Sequence, residues 1–537
     1  MRTRFNSLHA RNPWKAVVLA VGLLCGTVML GWSAPVDQAT ARTVATNTLR
    51  RHLALFGHWN QCTTPVVKNG RVIRFDGVNV GYNFEIDPSG HVTVALDDQL
   101  SPVQLYSTRA ALESAFSDDT RSIASWIVPE LSGKIHALTR VRLSARTVQP
   151  VAAEGRIARA WAVLTDPSDG ALKSAAAARP SMQRAAVVGP LLTTAWDQDT
   201  PYNLMTPDDN CVAGHTLTGC VATAWAQVLN YWQWPPTGVG SHAYVWNGQT
   251  LSADFETTYA WDDMPDQLTA ASNAAEKQAV ALLMYHLAVA SDSDFGCQDT
   301  ASTAWADQVL DIFFRYKRMD FHDRANYTPE QWFDLIRNEL NVSQPRPVIF
   351  SIFTTQDSGH EVVVDGYQDD ITRMVHINFG WSANYDGYYD ISDDFSIVGY
   401  TWSSAQQYMV TGIEPDTGLP PVVEAGDPQS IYERTSAVLS GQATSATSVV
   451  TTYQWQQVSG PMVTIGNETS ATTGFTAPSV SADTSLVFRL RAVDANDSVG
   501  YDECTITVRN VDTVLPSPLP SPPDSGGGGG CFITLLN

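Results

Sequence analysis

The spacing of apolar residues predicts four helices in the middle of the chain. Apolar positions recur every three or four residues over 220–232, 274–290, 304–316 and 329–340. This spacing places them on one face of a helix, which is the face that packs into a core. The pair Pro235-Pro236 stops the first of these patterns.

Strand patterns follow the helices. Runs rich in β-branched and aromatic residues occupy 347–353, 361–367, 374–379 and 387–391, and such runs predict β-strands. Helices first and antiparallel strands afterwards indicate an α+β enzyme with two lobes.

A smaller α+β unit is predicted before this block. It has a helical pattern at 41–55, a turn at 87–90, strand patterns at 71–76, 81–86 and 91–96, and short helical patterns at 110–116 and 123–127. The stretch 166–190, with scattered Gly, Pro and small residues, reads as an exposed linker that a protease can cut. A domain joined to an enzyme by a cleavable linker is the plan of a zymogen, and a simple spacer or binding module is the alternative.

After residue 415 the composition changes to Ser, Thr and Val. Short strand patterns at 438–439, 452–456, 485–493 and 504–508 are separated by turn residues, which predicts a β-sandwich of about 100 residues. Trp455 is its expected buried aromatic residue. The Pro-, Ser- and Gly-rich tail from residue 516 has too little apolar surface to fold.

The first 34 residues have the layout of a secretory signal. Basic residues precede an apolar run at 16–30, and small residues follow it. A retained membrane anchor is the alternative, but the run is short for a bilayer. We therefore expect an exported protein that is secreted, periplasmic or held at the cell surface, with no membrane span after signal removal.

Length and charge exclude some classes of partner. A chain of 537 residues is long enough for roughly three or four domains. Its formal net charge of -22 repels nucleic acid and anionic lipid, so we expect neither as a partner.

The cysteines indicate neither zinc nor a fixed disulfide pattern. The sequence has no CxxC pair, so we expect no metal site, and the predicted chemistry needs no organic cofactor. If Cys220 stays a free thiol, at most two disulfides can form outside the signal. The pairing is open among Cys62, Cys211, Cys297, Cys504 and Cys531.

Cys220 is the candidate nucleophile because it opens the 220–232 helix. A helix N-terminus stabilises an anion, which favours the reactive thiolate. Gly219 has no Cβ and leaves room for a substrate backbone, and the N–H of Cys220 can point at an oxyanion. The alternative is a small apolar cysteine in a core helix.

A cysteine nucleophile needs a base, and His360 is the best candidate. It follows Gly359 at the start of a strand, where we expect it to be accessible from a cleft. Alternation along the strand sends Glu361 to the opposite face, which we expect to be solvated. His376, between apolar neighbours in the next strand, is the alternative base.

Three more residues complete the candidate site. The amide oxygen of Asn378 can accept from the imidazole and orient it, while Trp381 can screen that bond from water. Gln198, in a loop before the nucleophile, can donate its amide to an oxyanion. An ordinary surface-loop role is the alternative for Gln198.

Four motifs, in chain order, resemble the streptopain family of secreted bacterial cysteine peptidases. They are Trp196-Asp197-Gln198, Thr218-Gly219-Cys220-Val221-Ala222, Gly359-His360, and His376-Ile377-Asn378-Phe379-Gly380-Trp381 together with Asp386-Gly387-Tyr388-Tyr389. The resemblance implies a papain-like fold, protein or peptide substrates and an acyl-enzyme. It also implies Cys220 as nucleophile, His360 as acid and base, Asn378 as orienter and Gln198 in the oxyanion hole.

Two residues depart from the family pattern. Phe379 stands where the family usually has Trp, so the shield keeps an aromatic face but loses an indole N–H. Glu361 stands where a small residue is usual.

The resemblance extends to both flanks. The region around 81–96 resembles the family's inhibitory propeptide, and the C-terminal unit resembles immunoglobulin-like modules related to polycystic kidney disease domains. In secreted enzymes such modules usually act as adhesive or spacer elements.

The predicted organisation has five parts. They are a signal peptide at 1–34, an inhibitory propeptide and linker at 35–187, a papain-like peptidase domain at 188–416, an immunoglobulin-like β-sandwich at 417–512 and a disordered tail at 513–537. The predicted function is a secreted cysteine endopeptidase made as a zymogen. Alternatives are an amidase or transpeptidase on the same fold, and a non-catalytic surface adhesin that binds through the β-sandwich.

Overall fold

A computed structural model describes most of the chain in two compact units. The described residues are 35–75, 78–110, 153–166, 168, 187–209, 211, 214–354, 358–392, 395–397 and 400–511. The first unit comprises the described parts of Met1–Ala195, Arg324–Pro345 and Phe350–Gln407, and the second comprises those of Trp196–Asp323, Arg346–Ile349 and Tyr408–Asn537.

The first unit begins with a helix packed on an antiparallel meander. The elements are α1 (Gln38–Phe56), β1 (Val66–Phe75), β2 (Val78–Asp87), β3 (His91–Ala95), β4 (Val103–Ser107), α2 (Ala153–Thr165) and β5 (Val187–Val188). Asp37 begins α1 by accepting from the N–H of Thr40, and Gly57 ends it with a positive φ of 78°. The predicted α+β unit is therefore present in these residues.

A larger set of strands completes this unit together with one helix. The helix is α6 (Pro329–Leu340), and the strands are β9 (Val348–Thr354), β10 (Gly359–Asp369), β11 (Arg373–Asn378), β12 (Gly387–Tyr389), β13 (Phe395–Ile397) and β14 (Tyr400–Thr411). The strand order is β1-β2-β3-β4-β12-β11-β10-β9-β14-β13, and β5 pairs with β10. Strand β10 is buried along almost its whole length, so both of its faces are covered.

The N-terminal meander joins this sheet through one short edge. Tyr106 of β4 pairs with Tyr388 of β12, and their rings stack with centroids 4.8 Å apart. Arg51 on α1 donates to both carboxylate oxygens of Asp370 and to the side-chain oxygen of Gln368. Backbone pairing, ring stacking and a largely buried ion pair therefore hold the meander against the strands that follow.

The second unit contains the remaining helices and a β-hairpin. Its elements before the C-terminal sandwich are α3 (Cys220–Trp232), β6 (Ser241–Trp246), β7 (Gln249–Asp254), α4 (Ala274–Ala290), α5 (Leu310–Phe313) and β8 (Asp320–Asp323). Helix α3 is buried from Ala222 to Leu229, and α4 packs against it. Residues 408–411 of β14 pair with β8.

The C-terminal part of the second unit is all β. Its strands are β15 (Val422–Glu424), β16 (Gln429–Tyr432), β17 (Ser436–Ser440), β18 (Gln442–Thr444), β19 (Val450–Ser459), β20 (Thr472–Thr476), β21 (Thr484–Asp494) and β22 (Val499–Arg509). They form a four-stranded sheet in the order β16-β22-β21-β19 and two strand pairs, β15-β18 and β17-β20. Trp455 is fully buried in the core of this sandwich, as expected.

Local sequence patterns located three of the four predicted helices at their observed bounds. The prediction over 304–316 is wrong, because only a short 3-10 turn (Ala306–Gln308) and the four-residue α5 form there. The N–H of Ala304 bonds to the carbonyl of Ser291 instead of starting a helix, and Arg315 has a φ of 54°, which no helix can continue.

Several predictions lie outside the described residues. These are the signal at 1–34, the short helices at 110–116 and 123–127, most of the linker at 166–190 and the tail at 513–537. Over the part of the chain that the structure describes, no helix has the length and apolar character needed to cross a membrane.

One disulfide fixes a loop in the second unit. Cys211 is bonded to Cys297, and the two cysteines are 86 residues apart in sequence. Among the described cysteines, Cys62, Cys220 and Cys504 are not in a disulfide bond. The pairing left open by the sequence is thus settled for one bond, and Cys220 is not part of it.

Replacing both cysteines of this bond by serine is expected to lower the temperature of unfolding. Closing a loop of this length stabilises the folded state by about 4.6 kcal/mol in the chain-entropy model. The measurement is calorimetry of Cys211→Ser/Cys297→Ser in a Cys220→Ala background. Cys62→Ser is the control and should unfold like the parent; equal midpoints for all three proteins would contradict the prediction.

Candidate active site

Cys220 is the first residue of α3, as predicted. The residue before it, Gly219, is the N-cap and has a φ of 88°, a conformation that favours glycine. A Cβ on Gly219 would lie 3.0 Å from the side chain of Thr300. The backbone conformation therefore favours glycine strongly and the close approach of Thr300 adds to this, besides the room for a substrate that the sequence suggested.

The segment before Cys220 is tied to Gln198. The N–H of Thr218 donates to the carbonyl of Gln198 at 3.0 Å, and the hydroxyl of Thr218 lies 3.3 Å from the same oxygen. Thr223, one turn into α3, donates its hydroxyl to the carbonyl of Gly219 and contacts the hydroxyl of Thr218. Gln198 is thus hydrogen-bonded to Thr218, which lies two positions before Cys220. Gln198 and Cys220 themselves are 22 positions apart in sequence.

Thr300 supports the same turn from the other side. Its hydroxyl donates to the carbonyl of Leu217 at 3.0 Å and accepts from the N–H of Gly296 at 3.1 Å. The N–H of Leu217 donates to the carbonyl of Gly296. Since Cys297 follows directly, the disulfide anchors the loop that holds the nucleophile turn.

In the first unit, His360 is hydrogen-bonded to a backbone carbonyl. Its Nε2 lies 3.0 Å from the oxygen of Phe379. A carbonyl can only accept, so Nε2 carries the proton and Nδ1 keeps the lone pair of a base. Burial lowers the pKa of His360 to about 4, and the bond to Phe379 opposes that shift, so the imidazole is neutral at pH 7.

Aromatic rings cover the imidazole. The ring of Trp381 stacks on His360 with centroids 4.2 Å apart, and Phe379 is nearly parallel to it at 6.1 Å. Trp402 lies 6.1 Å away on a tilt. Trp381 and Phe379 therefore cover the imidazole, and His360 is only 7% exposed; the Asn378–imidazole bond that Trp381 was expected to screen is not the one present. The accessibility that we expected Gly359 to give to His360 is absent.

The structure gives Asn378 a different set of bonds from the one expected. Its Oδ1 accepts from the N–H of Gly380 at 3.0 Å, and its Nδ2 donates to the carbonyl of Thr194 at 3.0 Å. These bonds shape the turn that presents the Phe379 carbonyl to His360. Asn378 thus acts on the imidazole through the backbone of its neighbour, while the sequence predicted a direct bond.

Asp386 completes this turn. Its Oδ1 accepts from the N–H of Phe379 at 2.9 Å, and its side chain is buried. Burial raises the pKa of Asp386 to about 6, while His376 and the Phe379 N–H act to lower it. Phe379 is therefore held at its N–H by a carboxyl group while its carbonyl holds the catalytic candidate.

The two remaining candidates on these strands have structural partners. Glu361 is buried and accepts from the hydroxyl of Ser351 at 2.5 Å, so the expectation that it is solvated is wrong. Strand β10 is covered on both faces, and alternation therefore does not bring its second face to solvent. The Nδ1 of His376 lies 2.6 Å from the carboxylate of Asp365, which favours His360 over His376 as the base.

Within the described residues, no group of three or more His, Cys, Asp or Glu side chains is arranged to hold a metal ion.

Comparison with known proteins gives matches for both parts of the chain. The family model of the peptidase C10 family matches residues 196–389, and a PKD domain model matches residues 425–508. Active interpain A, a cysteine protease of Prevotella intermedia, is 37% identical over 44% of this chain and 98% of its own, with a TM-score of 0.40. The chain belongs to the peptidase C10 family.

Other C10 relatives match a smaller share of their own length. The thiol protease/hemagglutinin PrtT of Porphyromonas gingivalis is 27% identical over 48% of this chain and 31% of PrtT. Streptopain of Streptococcus pyogenes is 27% identical over 36% of this chain and 52% of streptopain. The chain thus spans about a third to a half of these curated relatives.

A precursor structure in the family also matches. A fragment of prointerpain A is 28% identical over 65% of this chain and 100% of the fragment, with a TM-score of 0.44. The family and the PKD match agree with the fold class predicted from the sequence, a papain-like α+β peptidase followed by an all-β sandwich. The domain bounds 188–416 and 417–512 enclose the two model matches, and their ends stay predictions.

The sequence did not indicate Asp386 or Thr300 as parts of the site. Asp386 precedes Gly387 in a motif shared with the family, so the motif was a signal without an assigned role. Thr300 lies in a loop whose link to the nucleophile turn depends on long-range contacts that no local pattern reveals.

Replacing Asp386 by Asn is expected to make stability depend less on pH. Its pKa in the folded state, about 6, exceeds the value near 4 of an unfolded Asp, so the stabilisation is present below about pH 4 and lost as pH rises through 6. The Asn variant lacks this loss, which is on the order of 2 kcal/mol. Urea unfolding at pH 4.5 and 7.5 in a Cys220→Ala background measures the difference.

Asp386→Ala is the matched comparison for the Asn variant. It leaves the buried N–H of Phe379 without its acceptor, which costs about 1–3 kcal/mol of stability at both pH values. Identical pH dependence in the parent and the Asn variant would show that Asp386 does not titrate as described.

Proposed function

We propose that this chain is the precursor of a secreted cysteine endopeptidase, with Cys220 and His360 as its catalytic pair. The observation that carries the proposal is the nucleophile turn, in which Cys220 opens a buried helix while Gln198 is bonded to the residue two positions before it. Membership of the C10 family supports the same chemistry. The meeting of Cys220 and His360 is itself part of the proposal.

The proposed reaction begins with removal of the thiol proton. Nδ1 of His360 takes the proton from Cys220, and the thiolate attacks the carbonyl carbon of a peptide bond. The N–H of Cys220 and the side-chain amide of Gln198 then donate to the oxyanion that develops. The amine leaves with the proton from His360, and an acyl-enzyme remains.

Deacylation uses the same groups in reverse. His360 takes a proton from water, the resulting hydroxide attacks the thioester, and the carboxylic acid leaves as the thiol is restored. Asn378 and Asp386 position the Phe379 carbonyl, which keeps the Nε2 proton in place throughout. Trp381 keeps water away from that bond, so water does not compete for the imidazole N–H.

The remaining parts of the precursor have proposed roles as well. Residues 1–34 direct export, and residues 35–187 form an inhibitory propeptide and its cleavable linker. The pairing of β4 with β12 supports this role, because it places the N-terminal meander on the sheet that carries His360. Protein or peptide substrates, and the propeptide itself, are the proposed partners.

Alkylation of Cys220 tests the catalytic pair directly. We expect iodoacetamide to label Cys220 of the matured enzyme rapidly at pH 7, and His360→Ala to slow labelling at least tenfold, because the thiolate loses its base. His376→Ala is the control and should label at the parent rate, since His376 is bonded to Asp365. Slow labelling in the His376 variant alone would reverse the assignment.

Self-maturation tests the function of the precursor. We expect Cys220→Ala to accumulate at full precursor length, while added wild-type enzyme converts it to the mature form. Continued processing of the pure variant would rule out self-cleavage. New N-termini in an unfolded protein substrate distinguish a peptidase from an amidase or transpeptidase, and their absence with Cys220 reactive would favour those alternatives.

A further inference from the structure

The C-terminal sandwich makes specific polar contacts with the helical part of the second unit. Arg491 on β21 donates from Nε and Nη2 to one carboxylate oxygen of Asp311 on α5. The side chain of Asp311 is 0% exposed and that of Arg491 is 21% exposed. An acid on one domain is therefore neutralised out of solvent by a base on the other.

A second arginine lies beside this pair. The guanidinium of Arg489 lies 5.4 Å from the ring centroid of Phe313 on α5 and 5.0 Å from that of Tyr501 on β22. Glu503 accepts from Arg489 at 2.6 and 2.9 Å, which fixes the guanidinium between the two rings. Charge and aromatic surface of both domains are thus combined at one place.

The turn between β21 and β22 adds two further contacts. Arg318 donates from its backbone to the carbonyl of Asp497 at 2.8 Å and from Nε to the Asp497 carboxylate at 3.0 Å. The hydroxyl of Ser498 donates at 3.0 Å to Asp416, which lies in the segment between β14 and β15. The N–H of Asp416 in turn donates to the carbonyl of Arg315. The segment between β14 and β15 is therefore bonded both to the sandwich and to the helical part of the second unit.

A cavity of about 620 Å³ opens beside these contacts, lined by residues that include Arg315, Arg489, Tyr501 and Glu503. Solvent and salt in this cavity reach the flank formed by Arg489 and Glu503. Asp311 also borders this cavity, but its side chain is 0% exposed, and salt screens buried pairs much less than exposed ones. The Arg491–Asp311 pair is therefore the contact that persists at high ionic strength.

We propose that the end of β21, the start of β22 and the turn between them form a permanent intramolecular interface with the helical part of the second unit. This helical part, which precedes the sandwich, is called the helical block, and the sandwich is its fixed structural partner. A module used only as a spacer or an adhesive tether needs no buried ion pair with its neighbour. Arg491, Asp497 and Ser498 are accordingly engaged within the chain, and an outside ligand that uses them has to break these contacts.

Cutting the chain between β14 and β15 tests this proposal. A recognition sequence for a site-specific protease is inserted between Gly418 and Leu419, where Leu419 is 63% exposed, in the full chain carrying Cys220→Ala. After cleavage, we expect the sandwich to co-elute with the helical block in size-exclusion chromatography at micromolar concentration and at 0.5 M salt. Separation of the two parts in this protein would overturn the proposal.

Variants of the ion pair provide the specificity test. Arg491→Ala is expected to release the sandwich after cleavage, while Arg434→Ala, which removes an exposed arginine bonded within the sandwich, is expected to retain it. Should Arg491→Ala fail to fold, Asp311→Asn keeps the shape and removes the charge, and loss of co-elution at 0.5 M salt is again expected. Retention by both ion-pair variants would contradict the role of the pair. None of these readouts depends on peptidase activity.

Discussion

The proposed chemistry depends on one hydrogen bond, from Nε2 of His360 to the carbonyl of Phe379. A neutral imidazole carries one proton, and a carbonyl partner fixes that proton on Nε2 because a carbonyl cannot donate. Nδ1 then remains a base. An amide side chain could turn and offer its NH₂ group instead, whereas a backbone carbonyl has no such alternative. The acceptor in this structure therefore specifies the tautomer more strictly than the asparagine oxygen that the sequence suggested.

The Phe379 carbonyl has to be held in turn, and several residues share that task. Asn378 bonds to Gly380 and Thr194, and Asp386 bonds to the N–H of Phe379. On the side of the nucleophile, Thr218 and Thr300 hold the turn before Cys220 in a comparable way. In both places the proposed reacting group lies next to backbone atoms that are themselves held by side chains.

Local signals in the sequence account for what could be predicted. Helices α4 and α6 appear at their predicted bounds because each begins with a capping box, formed by Asn273 with Glu276 and by Thr328 with Gln331. Cys220 was recognisable because a small residue before an apolar helix is a local pattern.

Long-range contacts account for the misses. The pattern over 304–316 looked helical, yet Ala304 bonds to Ser291 and Arg315 turns to positive φ. Glu361 is buried because its strand lies inside a sheet that is covered on both faces, next to Ser351. Ser291 is 13 positions from Ala304 and Ser351 is 10 positions from Glu361. Both separations exceed the three- or four-residue spacing of a helix face and the two-residue alternation of a strand, so these patterns do not reveal the contacts.

The contacts between the N-terminal meander and the rest of the sheet determine what it would cost to separate the two. Strand β12, which receives β4, is only three residues long, and short edge strands are the ones that proteins leave open to water. Tyr388, however, would lose the stacked ring of Tyr106, and Asp370 would lose Arg51. Water can thus replace the backbone hydrogen bonds that β12 would lose. The lost side-chain contacts account for most of the free energy of separation. In the proposed precursor, an interface of this kind relies on a few side-chain contacts. Cleavage of the proposed linker at 166–190 would weaken those contacts by removing the tether that keeps them at high effective concentration.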